Sequence, residues 1–406
     1  MFEAGNANAA LYFVDRHCAE GRGDKVAYID ADGETTFDGL RQATDRMVGF
    51  YEGLGVPRES RVAMLVLDAI AFPVIFWGSL KAGIVPVALN TLLSTDQYRF
   101  ILGDCRARVL FVSAPLYETV APLLDGHPTI EHVFVIGGEA GGHPRFEDRL
   151  ASAPPGPAVA VTGDETAFWL YSSGSTGMPK GVIHVHSSLK GTSDTYALNV
   201  LGIREDDVVF SVAKLFFAYG LGNAMTFPLA VGATTVLFPG RPTPDAIFEV
   251  LETHRPTVFY AVPTLFAAML GAAGGGPVPG MDRVRLSVSA GEALPEEIGA
   301  RWKARHGTDI LDGVGSTEML HIFLSNVPGD VVYGPSGVPV PGYDVRLVDE
   351  RDADVAVGEV GEMLVRGGTA ASAYWNQREK SRRTFLGEWT RTGDKYIHRD
   401  DGRYIY

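Results

Sequence analysis

The sequence predicts an α/β protein with two doubly wound, mostly parallel sheets covered by helices, plus a small antiparallel β-barrel subdomain. Short apolar runs alternate with helical patterns from about residue 61 to residue 325, which is typical of parallel sheets that bind ligands at their carboxyl edges. After Val331, short alternating strands are separated by Gly, Pro and Asp, which indicates antiparallel pairing. At 406 residues the chain exceeds one ordinary core, so we expect subdomains at residues 1–160, 161–330 and 331–406.

The first block begins with a helix, because Leu40, Met47 and Leu54 belong to a series at helical spacing that ends at Gly55. A second helix is predicted over residues 70–81. The pattern predicts strands over residues 61–67, 84–88, 109–113 and 132–136. Loop-rich segments at 137–142 and 153–157 mark the predicted boundary.

The second block contains a helix through Leu251 that begins at the N-cap and first-turn pair Thr243-Pro244. Apolar strands are predicted over residues 208–212, 234–238, 257–261, 284–289 and 309–314. In the last block, the runs VRLVDE, GEMLVRG and RYIY predict the short antiparallel strands.

The amino-acid composition restricts the kinds of partner that the protein can bind. The formal net charge is −14, from 35 basic and 49 acidic residues, which argues against nucleic acid or an anionic membrane as a partner. Two lone cysteines, Cys18 and Cys105, fit a reducing compartment. The apolar run 69–80 is too short to span a bilayer, and no secretory signal is visible. We therefore expect a cytoplasmic protein.

The most informative stretch is YSSGSTGMPKGV, residues 171–182. Its glycines allow backbone N–H groups to approach a ligand, its hydroxyls add donors, and Lys180 adds a mobile positive charge, as a polyanion such as a triphosphate requires. A flexible linker is the alternative, but the apolar runs on both sides read as strands. Met178-Pro179 before the lysine departs from the Walker A pattern. The predicted phosphate-binding residues are Ser172, Ser173, Gly174, Ser175, Thr176, Gly177 and Lys180.

Three further stretches could serve a nucleotide. Residues 312–323, DGVGSTEMLHIF, are predicted to run from a strand end into a helix start, where Thr317 could donate to a phosphate and Glu318 could hold Mg²⁺. Residues 289–295, SAGEALP, read as another strand end followed by a helix. In RTGD, residues 391–394, a carboxylate in a tight turn could accept two ribose hydroxyls. Each stretch alone also fits ordinary capping or turn chemistry.

Together, in this order, the four stretches resemble the adenylate-forming superfamily of acyl-CoA ligases, firefly luciferase and peptide-synthetase adenylation domains. The resemblance covers essentially the whole chain and looks most like benzoate-CoA ligases. It implies an acid–thiol ligase that uses ATP, Mg²⁺ and coenzyme A and acts on a small aryl carboxylate.

By this resemblance, Lys180 reaches the β- and γ-phosphates, Thr317 binds the α-phosphate and Glu318 holds Mg²⁺; these are the expected catalytic residues. Asp394 would bind the ribose hydroxyls, with Tyr406 as a ribose-side aromatic. The adenine slot is expected at Gly291, Glu292, Ala293, Asp312, Gly313 and Val314.

The resemblance places substrate choice in residues 215–223, LFFAYGLGN, and at His321-Ile322. Peptide-synthetase domains usually carry an Asp in the first region, whereas this chain has none there, so the ammonium of an amino acid would stay unpaired in a dry pocket. By pattern alone these aromatics could be ordinary core. The expected substrate-binding residues are Phe217, Ala218, Tyr219, Gly220, Gly315, His321 and Ile322.

The histidine pairs are not predicted to hold a transition metal. His184 and His186 alternate on one strand face, and Glu318 with His321 has a metal-like spacing, but no further ligand cluster accompanies either pair. The only metal implied is Mg²⁺ on the nucleotide.

The resemblance also implies a further domain. Family members continue with roughly a hundred residues that carry a lysine acting on the carboxylate and α-phosphate, whereas this chain stops at Tyr406. We therefore expect the chain to be the large domain of a longer enzyme. The alternatives left open are a hydroxy-, amino- or halobenzoate-CoA ligase and, in a different class, an ATP-dependent phosphotransferase or a non-catalytic nucleotide-binding module.

Overall fold

The computed structural model describes residues 5–172 and 178–406. The described strands are β1 (Val26–Asp30), β2 (Gly33–Thr36), β3 (Arg61–Leu65), β4 (Val85–Ala88), β5 (Val109–Ser113), β6 (His132–Ile136), β7 (Thr166–Ser172), β8 (Lys180–Val185), β9 (Val208–Ser211), β10 (Thr234–Val236), β11 (Val258–Ala261), β12 (Leu286–Ser289), β13 (Ile310–Gly315), β14 (Ile322–Ser325), β15 (Val338–Pro339), β16 (Asp344–Val348), β17 (Val360–Arg366), β18 (Ala373–Tyr374), β19 (Phe385–Leu386), β20 (Trp389–His398) and β21 (Tyr404–Ile405). The described α-helices are α1 (Arg16–Ala19), α2 (Phe37–Leu54), α3 (Ala71–Lys81), α4 (Thr95–Cys105), α5 (Tyr117–Val120), α6 (Phe146–Ser152), α7 (His186–Thr192), α8 (Ala218–Leu221), α9 (Phe227–Val231), α10 (Pro244–His254), α11 (Pro263–Ala272), α12 (Glu296–His306) and α13 (Arg378–Thr384).

These described strands form three sheets. The first sheet has the order β18-β8-β7-β4-β3-β5-β6, the second β15-β14-β13-β12-β11-β9-β10-β1-β2, and the third β16-β17-β20-β19 with β21 beside β20. Strands β3 to β7 pair in parallel, as do β1 and β9 to β13. The β18-β8-β7 end of the first sheet, both ends of the second sheet and the whole third sheet are antiparallel. The predicted fold class is confirmed.

The sheets interleave along the chain. Strand β1 pairs with β10 through Tyr28 and Thr235, so an early hairpin completes the second sheet. Strand β18 pairs with β8 in the first sheet, with Tyr374 opposite Val182. The chain after residue 331 therefore reaches back to the strand that carries Lys180. The predicted subdomain boundaries stay a prediction.

Most predicted elements form close to their predicted places, for local reasons. Helix α2 begins where the Thr36 hydroxyl accepts from Gly39 N–H and ends at Gly55, whose φ is 66°. The Thr243-Pro244 pair begins α10, as predicted. Strands β5 and β6 match the predicted 109–113 and 132–136.

The apolar run at 69–80 becomes α3, which is buried on every side. Even Lys81 is buried, and its Nζ lies 2.5 Å from carboxylate oxygens of both Asp15 and Asp45. Burial on all faces explains why this helix lacks a polar stripe. In the described part of the chain, no helix is long and apolar enough to cross a membrane.

Two local predictions are wrong. No helix starts after residue 312: β13 runs on to Gly315, and β14 returns antiparallel from Ile322. The hairpin forms because Leu320 adopts φ 68° and Gly315 lies so close to His321 that an added Cβ would be 2.5 Å from its carbonyl oxygen. RTGD is not a tight turn but an irregularity within β20, where residues 391–395 oppose residues 362–364.

Candidate active site

Lys180 lies at the first position of β8, directly opposite Ser172, the last residue of β7. The two strands predicted around the glycine-rich stretch are therefore present. The predicted phosphate-binding residues Ser173, Gly174, Ser175, Thr176 and Gly177 lie outside the described residues. Both described ends of the stretch, Ser172 and Lys180, belong to one antiparallel pair.

A partly buried polar cluster surrounds the Lys180 ammonium. Lys180 Nζ lies 3.1 Å from Glu318 Oε1, and the Tyr374 hydroxyl donates to the same oxygen at 2.7 Å. The ammonium also lies 3.2 Å from the Tyr374 oxygen and 4.5 Å from the centre of its ring. Burial alone would raise the pKa of Glu318, but Lys180 and the Tyr374 hydroxyl hold it below its usual value. The carboxylate is therefore kept ionised.

Two hydrogen bonds, one from a side chain and one from the backbone, fix the turn that carries Glu318. His184 Nε2 donates to the Thr317 carbonyl at 2.8 Å, and Ala371 N–H donates to the Glu318 carbonyl at 2.7 Å. The His184 ring is fully buried and stacks on Phe168 at 5.2 Å between centroids. Burial lowers the pKa of His184 to about 4, so the ring is neutral and can donate through only one nitrogen.

The predicted adenine-slot segments lie side by side. Strands β12 and β13 pair so that Ser289 lies opposite Asp312, and Gly291 turns the chain with φ 91°. Burial raises the pKa of Asp312 to about 7, against the opposing effect of the Leu294 and Gly313 backbone N–H groups. Among the described residues, Asp312 Oδ1 has no hydrogen-bond partner. A buried acceptor without a donor suits an exocyclic amino group.

The predicted ribose carboxylate belongs to the same region. Asp394 lies in the β20 irregularity, and its backbone N–H donates to Thr392 Oγ1 at 3.1 Å. Asp394 is exposed, but partial desolvation raises its pKa, and the negative charges of Glu318 and Glu362 raise it further. Asp394 and Glu318 are thus close enough to interact electrostatically. Tyr406, the predicted ribose-side aromatic, is exposed, and its ring centroid lies 5.3 Å from that of Tyr396.

An aromatic cluster, called here the aromatic wall, forms where α8 meets the β13–β14 hairpin. The Tyr219 hydroxyl donates to the Val288 carbonyl at 3.1 Å, which fixes its ring near the end of β12. The His321 ring packs against Tyr219 and Phe227, with centroids 5.6 and 4.5 Å away. His321 Nε2 lies 3.2 Å from both the Tyr219 carbonyl and Asn223 Oδ1. Burial lowers the pKa of His321 to about 3, so the ring is neutral.

Glycines allow this wall to pack closely. A Cβ on Gly220 would lie 2.1 Å from the Lys214 carbonyl oxygen, and one on Gly222 would lie 2.3 Å from His321 Cδ2. Gly315 lies opposite Ile322 in the hairpin. The structure therefore brings the 218–222 segment, Gly315, His321 and Ile322 together. The Phe217 ring is tilted against that of Phe216, with centroids 4.5 Å apart, and Phe217 is 47% exposed.

Sequence reasoning missed Tyr374 and the contact made by His184. Directly opposite residues of an antiparallel pair share a face, so Tyr374, opposite Val182, lies on the same face as Lys180 and His184. The alternation of β8 could have placed His184 beside Lys180. Tyr374 gave no local signal because β18 contains only two residues and its partner strand lies far away in sequence.

The ionised Glu318 carboxylate fits a magnesium ion that is bound together with nucleotide phosphates. Within the described ranges, no group of three or more His, Cys, Asp or Glu residues is placed to hold a metal ion. Mg²⁺ is commonly bound by one or two carboxylates together with substrate phosphates. The ionised Glu318 beside the phosphate-loop strand provides such a carboxylate.

A separate cleft of about 740 Å³ opens at the carboxyl ends of β1, β3, β5 and β6. Its lining includes Asp30, Leu67, Ser113 and Ile136, and it contains none of the predicted site residues. The cleft is therefore distinct from the polar cluster and the aromatic wall.

The chain belongs to the AMP-binding enzyme family, which matches residues 15–375. Its relatives include the 4-hydroxybenzoate–CoA/benzoate–CoA ligase of Rhodopseudomonas palustris, 51% identical over 98% of this chain and 74% of that protein. A benzoate CoA ligase structure from Burkholderia xenovorans LB400 has a TM-score of 0.92 at 48% identity, covering 99% of this chain and 79% of that one. An anthranilate CoA ligase in complex with anthranoyl-AMP has a TM-score of 0.95 at 40% identity, covering 100% and 78%. The predicted adenylate-forming family is confirmed.

Proposed function

We propose that this protein is a benzoate-type aryl-acid CoA ligase, which activates an aromatic carboxylate with MgATP and transfers the acyl group to coenzyme A. The observation that carries this proposal is the combination of the partly buried Lys180–Glu318 pair with an aromatic wall whose segment 215–223 has no acidic residue. The named activities of the relatives, each an aryl-acid CoA ligase, support the same substrate class.

In the first step, a carboxylate oxygen of the acid attacks the α-phosphorus of ATP, and the bond to pyrophosphate breaks. Lys180 neutralises phosphate charge, Thr317 donates to the α-phosphate, and Asp394 fixes the ribose. Glu318 would hold Mg²⁺ together with the phosphates, and the ion would supply further charge neutralisation. In the second step, the thiol of coenzyme A attacks the acyl carbon and AMP leaves. Such catalysis depends mainly on positioning and electrostatics.

The neutral aromatic wall supports the choice of acid. Tyr219 and neutral His321 offer flat faces and no charge, so a flat, lightly substituted ring is favoured over a zwitterionic amino acid. The same proposal includes hydroxy-, amino- and halobenzoates as alternative substrates of the same enzyme class.

The test is exchange of labelled pyrophosphate into ATP by the full-length protein, over a panel of benzoate, 4-hydroxybenzoate, 2-aminobenzoate, phenylalanine and a medium-chain fatty acid. We expect the benzoates to support the fastest exchange and phenylalanine to support none. A fatty acid that exceeds benzoate would contradict the aryl pocket. Formation of ADP instead of AMP and pyrophosphate would indicate a phosphotransferase, and no turnover with any acid would indicate a binding module.

A further inference from the structure

Tyr374 joins two site residues from a strand that is distant in sequence. Its hydroxyl donates to Glu318 Oε1 at 2.7 Å and lies 3.2 Å from Lys180 Nζ, with the ammonium over its ring. The residue is 4% exposed. A phenol can accept from an ammonium and donate to a carboxylate at the same time. Tyr374 is therefore the third member of this cluster.

The position of Tyr374 is fixed by its backbone as well as its ring. Its N–H donates to Ser381 Oγ at 3.0 Å, and its ring lies 5.2 Å from Phe385. The neighbouring Trp375 N–H donates to the Gly181 carbonyl at 2.8 Å. The hydroxyl is thus held over Glu318 by contacts on both sides of the residue.

We propose that Tyr374 is a positioning residue for MgATP: its hydroxyl orients the Glu318 carboxylate and stays as its partner when Lys180 turns to the phosphates. The proposal rests on the proposed function, because it takes Lys180 and Glu318 as the phosphate and magnesium residues. Turning Lys180 away would break the 3.1 Å ion pair. Without the Tyr374 hydroxyl, the partly buried Glu318 carboxylate would then lose both of its described side-chain partners, which is costly, and the hydroxyl prevents that loss.

The test variant is Tyr374→Phe, which keeps the ring under Lys180 and removes only the hydroxyl. We expect its affinity for MgATP, measured by titration calorimetry, to fall about ten- to a hundredfold, the range for one hydrogen bond to a charged group. The Mg²⁺ concentration for half-maximal pyrophosphate exchange should rise, whereas benzoate affinity should not change. The matched control is Tyr51→Phe, since the Tyr51 hydroxyl is buried against Ser79 at 2.7 Å in the first sheet's core; it should bind MgATP as the parent does.

A double-mutant cycle separates positioning from general packing. If Tyr374 acts through Glu318, then Tyr374→Phe should add little to the loss caused by Glu318→Gln. Additive losses, or MgATP affinity within twofold of the parent in the single variant, would overturn the proposal.

A crystal structure of the parent protein with MgATP tests the proposal without any variant. A Tyr374–Glu318 hydrogen bond with Lys180 on phosphate supports the proposal, and separation of the Tyr374 and Glu318 side chains contradicts it. If the parent shows no benzoate-dependent exchange but these binding results hold, only the proposed acid is wrong.

Discussion

At the scale of single residues, the site depends on charges that stabilise one another. Lys180 and Glu318 neutralise each other in a partly buried setting, while desolvation and then the charges of Glu318 and Glu362 raise the pKa of Asp394. Two of these three carboxylates already pair with a cation, because Lys180 lies beside Glu318 and Arg391 beside Glu362. Mg²⁺ and the Lys180 ammonium are the cations that the proposed reaction provides.

Asp394 provides the residue-scale prediction. Replacing Asp394 by Ala removes the predicted acceptor for the ribose hydroxyls, so we expect ATP affinity to fall about tenfold or more while the fold is kept. The measurement is equilibrium binding of ATP together with a melting curve. Asp400→Ala, a change to an exposed carboxylate in the turn after β20, is the matched control and should bind ATP normally. Unchanged ATP affinity in folded Asp394→Ala would remove this residue from the site.

At the scale of elements, the aromatic wall depends on how closely α8 approaches the β13–β14 hairpin. The following short helical segment contains Gly222, which lies directly against the His321 ring. His321 in turn bonds the Tyr219 carbonyl. Any side chain at Gly222 therefore acts on the pocket through His321.

Gly222→Ala gives the element-scale prediction. Its Cβ would lie 2.3 Å from His321 Cδ2, so the ring must move, which we expect to cost about 1–3 kcal/mol of unfolding free energy. The KM for benzoate should rise more than the KM for ATP. The matched control is Gly271→Ala in α11, where nothing lies within 4 Å of the added Cβ. That variant should gain about 0.5–1 kcal/mol from helix propensity. Equal effects on both substrates in Gly222→Ala would argue against a pocket role for His321.

Many of the helices and strands could be predicted from the sequence, because strands such as β5 have a clear apolar pattern and helices such as α10 have clear caps. The hairpin after Asp312 could not, because Ser316 and Glu318 look like helix capping, whereas the deciding features are a left-handed Leu320 and the close approach of Gly315 to His321. Tyr374 could not be found either, because its place depends on pairing with a distant strand.

At the scale of the whole molecule, the packing buries neutral histidines together with partly protonated carboxyls. Burial lowers the pKa of His17, His184 and His186 to about 4 and that of His321 to about 3. Burial also raises the pKa of Asp68 to about 6, and Asp312 behaves similarly. The resemblance to a known family identified the enzyme class, whereas these burial effects depend on tertiary packing. The cytoplasmic setting stays a prediction.

We predict that the free energy of unfolding of the whole molecule falls in acid. A histidine whose folded pKa is depressed gives stability that is present above pH 6.5 and is lost as the pH falls towards its folded pKa. Each of the four should cost about 2 kcal/mol at pH 5. The two raised carboxyls have the opposite sign and offset about half of this loss. We therefore expect urea unfolding to show a clear drop in stability between pH 7.5 and pH 5.

The control for this prediction replaces single histidines. His186→Gln should flatten the dependence of stability on pH, because a buried titrating ring is removed. The same change at partly exposed His143 should leave the slope almost as it is. Equal slopes in the parent and His186→Gln would show that buried histidines do not govern the acid response.

The pairing of β1 with β10 has a consequence for synthesis of the chain on the ribosome. Tyr28 leaves the ribosome about 200 residues before its partner Thr235, which at ~5–20 residues per second corresponds to ~10–40 s. Throughout that interval the β1–β2 hairpin has one edge without its neighbour, and unpaired edges invite pairing with other chains. A nascent chain stalled before residue 234 should therefore be a better client for chaperones, and more prone to aggregate, than one stalled soon after residue 261.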